Sequence, residues 1–143
     1  MEIRSPENAQ EWESYFSLRY EVLRKPWNQP LGTERDGLED QTKHFACFSA
    51  SKIIGVGRLD QVSPEVFQIR YMAVHPDAQN KGIGRMIIRE MEAEAWLNGA
   101  ETILLHAREN AMGFYESLGY ELQSISHLLF GTIQHFLMQK KKG

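Results

Sequence analysis

The residues best suited to chemistry lie in one run, Val74-His75-Pro76-Asp77-Ala78-Gln79-Asn80-Lys81-Gly82-Ile83-Gly84-Arg85. An apolar stretch stops at His75-Pro76, a polar turn follows, and two glycines one residue apart open an amphipathic segment. This order predicts a strand, a loop and a helix N-terminus, which together form an anion site. The first N–H groups of a helix have no intrahelical partner, and the macrodipole is positive at that end. Glycine lacks the Cβ that would hold a phosphate off the backbone. Lys81 and Arg85 add positive charge at the same mouth, which a purely structural turn would not need.

A strand–loop–helix anion site does not by itself choose its ligand. A Walker loop ends in Gly-Lys-Ser/Thr, whereas Gly84 is followed by Arg85-Met86. A dinucleotide fingerprint requires a third glycine at the position held by Ile87. A second segment, Asn110-Ala111-Met112-Gly113-Phe114-Tyr115-Glu116-Ser117-Leu118-Gly119-Tyr120, lies downstream. Gln79-Asn80-Lys81-Gly82-Ile83-Gly84 resembles the Gln/Arg-x-x-Gly-x-Gly/Ala pyrophosphate loop of the GNAT acetyltransferases, and the downstream segment resembles that family's second signature. The two motifs stand in the family's order, with one helix and one strand between them. Leu18-Arg19-Tyr20-Glu21-Val22-Leu23, followed by Asp36, Asp40 and His44, is similar to the ElaA-like branch.

The resemblance implies an α/β GNAT fold. Its mixed, mostly antiparallel central sheet splays open between the fourth and fifth strands, with helices on both faces. It further implies acetyl-CoA as co-substrate, with the pyrophosphate held by backbone N–H groups of Gln79, Asn80, Lys81, Gly82, Ile83, Gly84 and Arg85. The pantetheine arm would pair with main-chain groups of Met72, Ala73 and Val74, and Asn110 would cap its helix or contact CoA. Tyr115 corresponds to the family's tyrosine, whose phenol lies near the CoA sulfur and protonates the departing thiolate; an ordinary phenol pKa near 10 suits a proton donor. The activity implied is acetyl transfer to a primary amine of a small molecule by direct attack in a ternary complex. A non-catalytic acyl-CoA-binding module and a protein or peptide N-acetyltransferase are the alternatives.

No general base follows from the resemblance. Some relatives carry a glutamate six positions before the valine, and this chain has Gln68 there. Glu39, Asp40, His44 and His106 are the candidates; His106, at the end of the strand bordering the splay, has the best-placed pKa. Asp36, Glu39, Asp40 and His44 are acids and a histidine of a polar loop, and no metal is expected there.

The elements that must position these residues can be read from hydrophobic spacing. Ser5-Pro6-Glu7 is a helix-start signal, with Ser5 as N-cap, and Pro26 closes the segment. Asn28 to Lys43 reads as a loop, and Phe45–Ala50 and Ile53–Leu59 as a hairpin turning at Ser51-Lys52. A turn at Gln61 to Glu65 leads to a strand over Phe67–Val74. Ile83, Ile87, Met91 and Ala95 give a helix with one buried face, ending near Asn98-Gly99. A strand over Thr102–His106, a short helix over Asn110–Leu118, and strands over Tyr120–Gln123 and Ile133–Met138 complete a mixed α/β sheet.

The 143 residues fit one domain, taken here as 1–143, long enough for a sizeable core. A hydrophobic share of 42%, a charged share of 24% and a net charge of −3 without large one-sign blocks predict a soluble protein with no nucleic-acid or membrane partner. The Lys140-Lys141-Lys142 run is expected to be a solvated tail. Cys47, the only cysteine, lies in an apolar run and is expected in the core. The polar start of the chain lacks a signal-peptide pattern, and with a single cysteine a cytoplasmic location is expected. Homodimer formation is left open.

Overall fold

The computed structural model describes residues 1–143. Seven strands form one sheet in the order β1-β2-β3-β4-β5-β7-β6. They are β1 (Glu2–Arg4), β2 (Lys43–Ser49), β3 (Lys52–Ser63), β4 (Val66–Val74), β5 (Thr102–Arg108), β6 (Glu121–Leu129) and β7 (Ile133–Lys141). All neighbours are antiparallel except β4 and β5, which run parallel. Helix α1 (Ala9–Leu23) covers one face, and α2 (Ile83–Leu97) and α3 (Met112–Ser117) cover the other.

The α2 stripe forms as its spacing predicts. Ile83, Ile87, Met91 and Ala95 are all buried, in a core with Phe67, Ile69, Ile103, Leu105 and Ala107 of the sheet. The helix can sit this close because β3 presents glycine. A Cβ on Gly57 would fall 2.7 Å from Met72 Sδ and 2.9 Å from Met91 Cε, closer than packed atoms approach. A smaller core on the opposite face joins Tyr15, Phe16 and Leu18 of α1 to Ala46, Phe48, Val56 and Ala73.

Several sequence expectations need correction. Asn8, not Ser5, caps α1: its side chain accepts from the Glu11 N–H at 2.9 Å, and the helix begins one turn later than expected. Ser5-Pro6 instead follows β1, a three-residue edge strand too short to show a period. Lys140 and Lys141 are not part of a tail. Strand β7 runs through Lys141; Lys140 bonds to buried Glu92 (3.1 Å) and the Leu118 carbonyl (2.8 Å), and Lys141 to Thr102 Oγ1 (2.9 Å). Tyr120 donates to the same Glu92 at 2.8 Å, so one buried carboxylate ties α2 to the last strands. Cys47 is buried, as expected, and burial raises its thiol pKa.

The feature that creates a site is the parting of β4 from β5. The two strands pair only over Val66–Gln68 and Thr102–Leu104. Beyond that, β4 bulges: between the Arg58–Arg70 and Val56–Ala73 pairs it holds two residues, Tyr71 and Met72, against the single Gly57. Tyr71 lies at φ 55, a left-handed conformation that bulky residues avoid. The inserted residue resets the alternation. Ile69 and Met72, three apart, both pack toward α2, and the strand bends as bulged strands do.

Candidate active site

The loop that opens α2 forms as the sequence predicts. Gly82 (φ 79) is the N-cap of the helix, and Asn80 (φ 63) is also left-handed. A Cβ on Gly82 would meet nothing within 4 Å, so the cradle faces open space. Lys81 and Arg85 are exposed and have no carboxylate partner. Gln79 reaches back to the Val74 carbonyl at 3.4 Å. Beside the loop, Gly84 lies against Phe114 and Val74, so a groove runs from the helix start along the free edge of β4 toward α3. Free N–H groups, open cradle and unpaired cations suit a pyrophosphate, and the unpaired edge at Met72, Ala73 and Val74 suits an extended amide-bearing arm.

Past the bulge, a cavity of about 220 Å³ opens between the parted strands. Alternation explains its walls. On β5, Ile103, Leu105 and Ala107 enter the α2 core, so His106 and Arg108 point to the α1 side, as do Gln68 and Arg70 on β4. The end of α1 and the turn after it supply Leu23, Arg24 and Trp27; the β6–β7 hairpin supplies His127 and His135.

Tyr115 closes the α3 side of this cavity. It is 9% exposed and packs edge-on against Phe114 and Tyr120, at 5.1 and 5.9 Å between centroids. Its hydroxyl has no protein partner yet is not sealed off. Burial pushes its phenol up to about 12, with Arg108 pulling the other way, so it is protonated throughout the neutral range. Of the two roles expected of Asn110, the cap is not made: it lies exposed within a 3-10 turn, Glu109–Ala111, and its side chain caps no helix. The chain does not leave an extended residue there, so the side chain has no free helix N–H to accept from.

The base candidates separate. Glu39, Asp40 and His44 line a different, larger depression under α1 and do not reach the cavity. His44 is committed on both nitrogens: Nε2–H donates to the Glu39 carbonyl at 2.7 Å, and Nδ1 stands 2.9 Å from the Tyr15 hydroxyl. Burial lowers its pKa and keeps it neutral. His106 does line the cavity. Its Nδ1 is 2.5 Å from Ser126 Oγ, which is 3.1 Å from Nδ1 of exposed His127. His127 in turn stacks on His135 at 4.4 Å. Burial first, then His127 and Arg70, lower the pKa of His106, so it is a neutral base at pH 7 with Nε2 unclaimed. Gln68 also lines the cavity, where its amide cannot take a proton.

Spacing gave no sign of the scaffold behind the bulge. Buried Arg58 donates to both oxygens of Asp36 (2.7 Å each), both oxygens of Asp60 (2.7 and 2.8 Å) and to Glu39 (3.2 Å). These ion pairs hold the Asp36 carboxyl far below its ordinary range. Buried Arg19 binds the Glu34 carbonyl and the Tyr15 hydroxyl, and its guanidinium lies 4.2 Å from the Tyr71 ring centroid. Arg58 lies 4.9 Å from the same ring. The strained Tyr71 is thus clamped by cations, which offsets its conformational cost. Arg19, Asp36 and His44, quoted above for the ElaA-like pattern, are all members of this network.

The comparisons with known proteins agree with this geometry. The family model for the acetyltransferase (GNAT) domain matches residues 40–122. The chain belongs to the GNAT acetyltransferase family. YjcF of Bacillus subtilis, an uncharacterized N-acetyltransferase, is 29% identical over 133 residues, covering 93% of this chain and 94% of that one. An aminoglycoside 6'-N-acetyltransferase crystallised with coenzyme A superposes with a TM-score of 0.82 at 17% identity, covering 99% of this chain and 97% of that one. Escherichia coli ElaA superposes at 0.78 and 15%, covering 98% and 99%. This GNAT chain therefore has the family's fold, including the parted sheet expected between the fourth and fifth strands. No group of three or more His, Cys, Asp or Glu residues could hold a metal ion. No helix is long and apolar enough to cross a membrane.

Proposed function

We propose that this chain is an acetyl-CoA-dependent N-acetyltransferase acting on the primary amine of a small molecule by direct attack in a ternary complex. The observation that carries the proposal is the cavity. It joins an unpaired strand edge, a protonated phenol and a neutral imidazole on opposite walls of one space. The amine nitrogen forms a bond to the thioester carbonyl carbon, and the C–S bond then breaks. A main-chain N–H near Ala73 or Val74 polarises the carbonyl. Tyr115 gives its proton to the sulfur as the thiolate leaves. In this buried setting the nascent thiolate is also desolvated and more basic, which narrows its gap from a phenol near 12. The amine's proton passes to His106 Nε2, and Ser126 and His127 lead it to solvent.

The test is release of free thiol from acetyl-CoA with a broad panel of amines, alongside melting curves. Acetyl-CoA at ~100 times its dissociation constant should add roughly 2.7 kcal/mol of stability, and GTP or NAD little. A larger shift with either nucleotide would remove the acetyl-CoA assignment. Tight acetyl-CoA binding with no thiol release from any amine would leave only a binding module.

A further inference from the structure

The walls of the cavity have a sign. Its 18 lining residues include Arg24, Arg70 and Arg108 with three histidines, and no aspartate or glutamate. The chain as a whole has a net charge of −3, so this concentration of cations opposes the general balance. Nor are the guanidiniums neutralised locally. Half-buried Arg108 lies over the Trp27 ring at 5.4 Å and makes no hydrogen bond or ion pair with the protein. Arg24 donates only to the Thr33 and Leu23 carbonyls. Arg70 reaches one oxygen of Asp36 at 3.3 Å, an oxygen that Arg58 already binds at 2.7 Å.

These charges are not the ones placed for the pyrophosphate, which lie at the start of α2. Arg24 and Arg108 gather about Trp27 and the end of α1, across the sheet from Tyr115 on α3. Arg24 and Arg108 are half-buried without a carboxylate, and Arg70 shares Asp36 with Arg58, so an anionic ligand would supply charge that the protein does not.

Accepting acetyl transfer to an amine as the reaction, we infer that the acceptor is an anionic amine. It carries a carboxylate or phosphate group a few bonds from the reacting nitrogen, held by Arg108 with Arg70 and Arg24. A planar guanidinium fork matches either group. The same field serves the chemistry. Only the neutral amine attacks, and nearby positive charge lowers the pKa of an ammonium group, favouring that form. A polyamine or aminoglycoside acceptor would bring several cations against guanidiniums in a cavity whose lining has no carboxylate to receive them.

The experiment compares acid-bearing amines with neutral isosteres. ω-Amino carboxylates of two to six carbons and α-amino acids are set against their amides, O-phosphoethanolamine against ethanolamine, and spermidine and kanamycin stand as polycations. With acetyl-CoA, at least one acid should exceed its isostere by about tenfold or more in kcat/KM, the worth of one charge-assisted hydrogen bond. Whether the carboxylate or phosphate arm responds identifies the acid. Arg108→Gln should collapse the preference and Arg108→Lys restore part of it, with acetyl-CoA affinity unchanged by calorimetry. The N-acetylated products and their amides are also titrated into the CoA-bound protein, so recognition is read without turnover. Equal or better use of neutral or polycationic amines overturns the anionic class and leaves acetyl transfer standing. Selective acid binding without turnover would do the reverse. If no acid binds or reacts better than its isostere, the inference fails.

Discussion

At the α2 end of the cleft, everything suited to a phosphate lies within one loop between Val74 and Arg85, whose cations Lys81 and Arg85 are exposed and without ion pairs. At the bulge end, Arg19, Asp36, Arg58 and Tyr71 come from α1, a loop and two strands, and they are bound to one another around two fully buried guanidiniums. The first region is a surface device whose parts can be changed one at a time. The second is a piece of the fold, in which the shape of the site and the stability of the sheet share the same residues. Binding and folding should therefore separate at one end and fail together at the other.

The largest effect is expected where they are inseparable. Arg58→Leu removes the buried cation between Asp36 and Asp60, leaving Asp36 only the longer contact to Arg70, and should cost about 3–5 kcal/mol, the usual result of breaking a buried pair. Denaturant unfolding measures it, and residual activity should fall with the bulge. A variant of near-native stability and activity would show that the bulge stands without its clamp.

Tyr115→Phe tests the cavity between the two ends. The hydroxyl has no protein partner, so stability and acetyl-CoA affinity should change little. Turnover should fall roughly 10²-fold, about 2.7 kcal/mol of barrier. The defect should shrink with a thioester whose leaving thiol is more acidic. An equal defect on both donors, or a lower melting temperature, would make Tyr115 a packing residue.

At the α2 end, Lys81→Glu with Arg85→Glu should weaken acetyl-CoA binding about tenfold or more, by loss of charge-assisted contacts. The melting temperature of the free protein should stay put, since neither side chain is paired. Charge reversal is a cleaner probe than substituting Gly82, whose φ of 79 would strain any other residue. If calorimetry finds affinity unchanged, the pyrophosphate lies elsewhere.

The smallest effect is a slope. His44, His106 and His135 all have pKa values lowered in the folded state, chiefly by burial. Below the unfolded value near 6.5 the unfolded chain therefore binds more protons, so stability rises with pH through that value and is lost as pH falls below it. Melting temperatures between about pH 5 and 7.5 should show this, and His44→Gln should flatten the slope. A curve flat or falling with pH would contradict neutral burial of these rings.

The two regions also divide what could be read in advance. The strand–loop–helix turn at Gly82 was legible because its parts are neighbours in the chain and its physics is local: a strand stop, two glycines and the polarity of a helix start. The face of α2 was legible for the same reason, since a 3.6-residue period needs no partner to be seen. The short strand β1 and the cap at Asn8 were missed because three residues show no period and two residue types compete for one cap. Lys140 and Lys141 looked like a tail because a pairing strand and a buried Glu92 are invisible from the lysines themselves.

What the sequence alone determined, then, is the family signature, the glycine turn that opens α2 and the order of elements around a mixed sheet. Tertiary structure decided the rest of the site. It showed that β4 bulges at Tyr71, a residue with no local reason to be left-handed, because cations from α1 and β3 hold it there. It placed Glu39, Asp40 and His44 along a separate depression under α1, away from the cavity. It brought His106, Ser126 and His127 into one chain and left Arg108 facing the cavity without a counter-charge. Each of these outcomes depends on which residues distant in sequence become neighbours, and that is settled only when the sheet pairs and the helices pack.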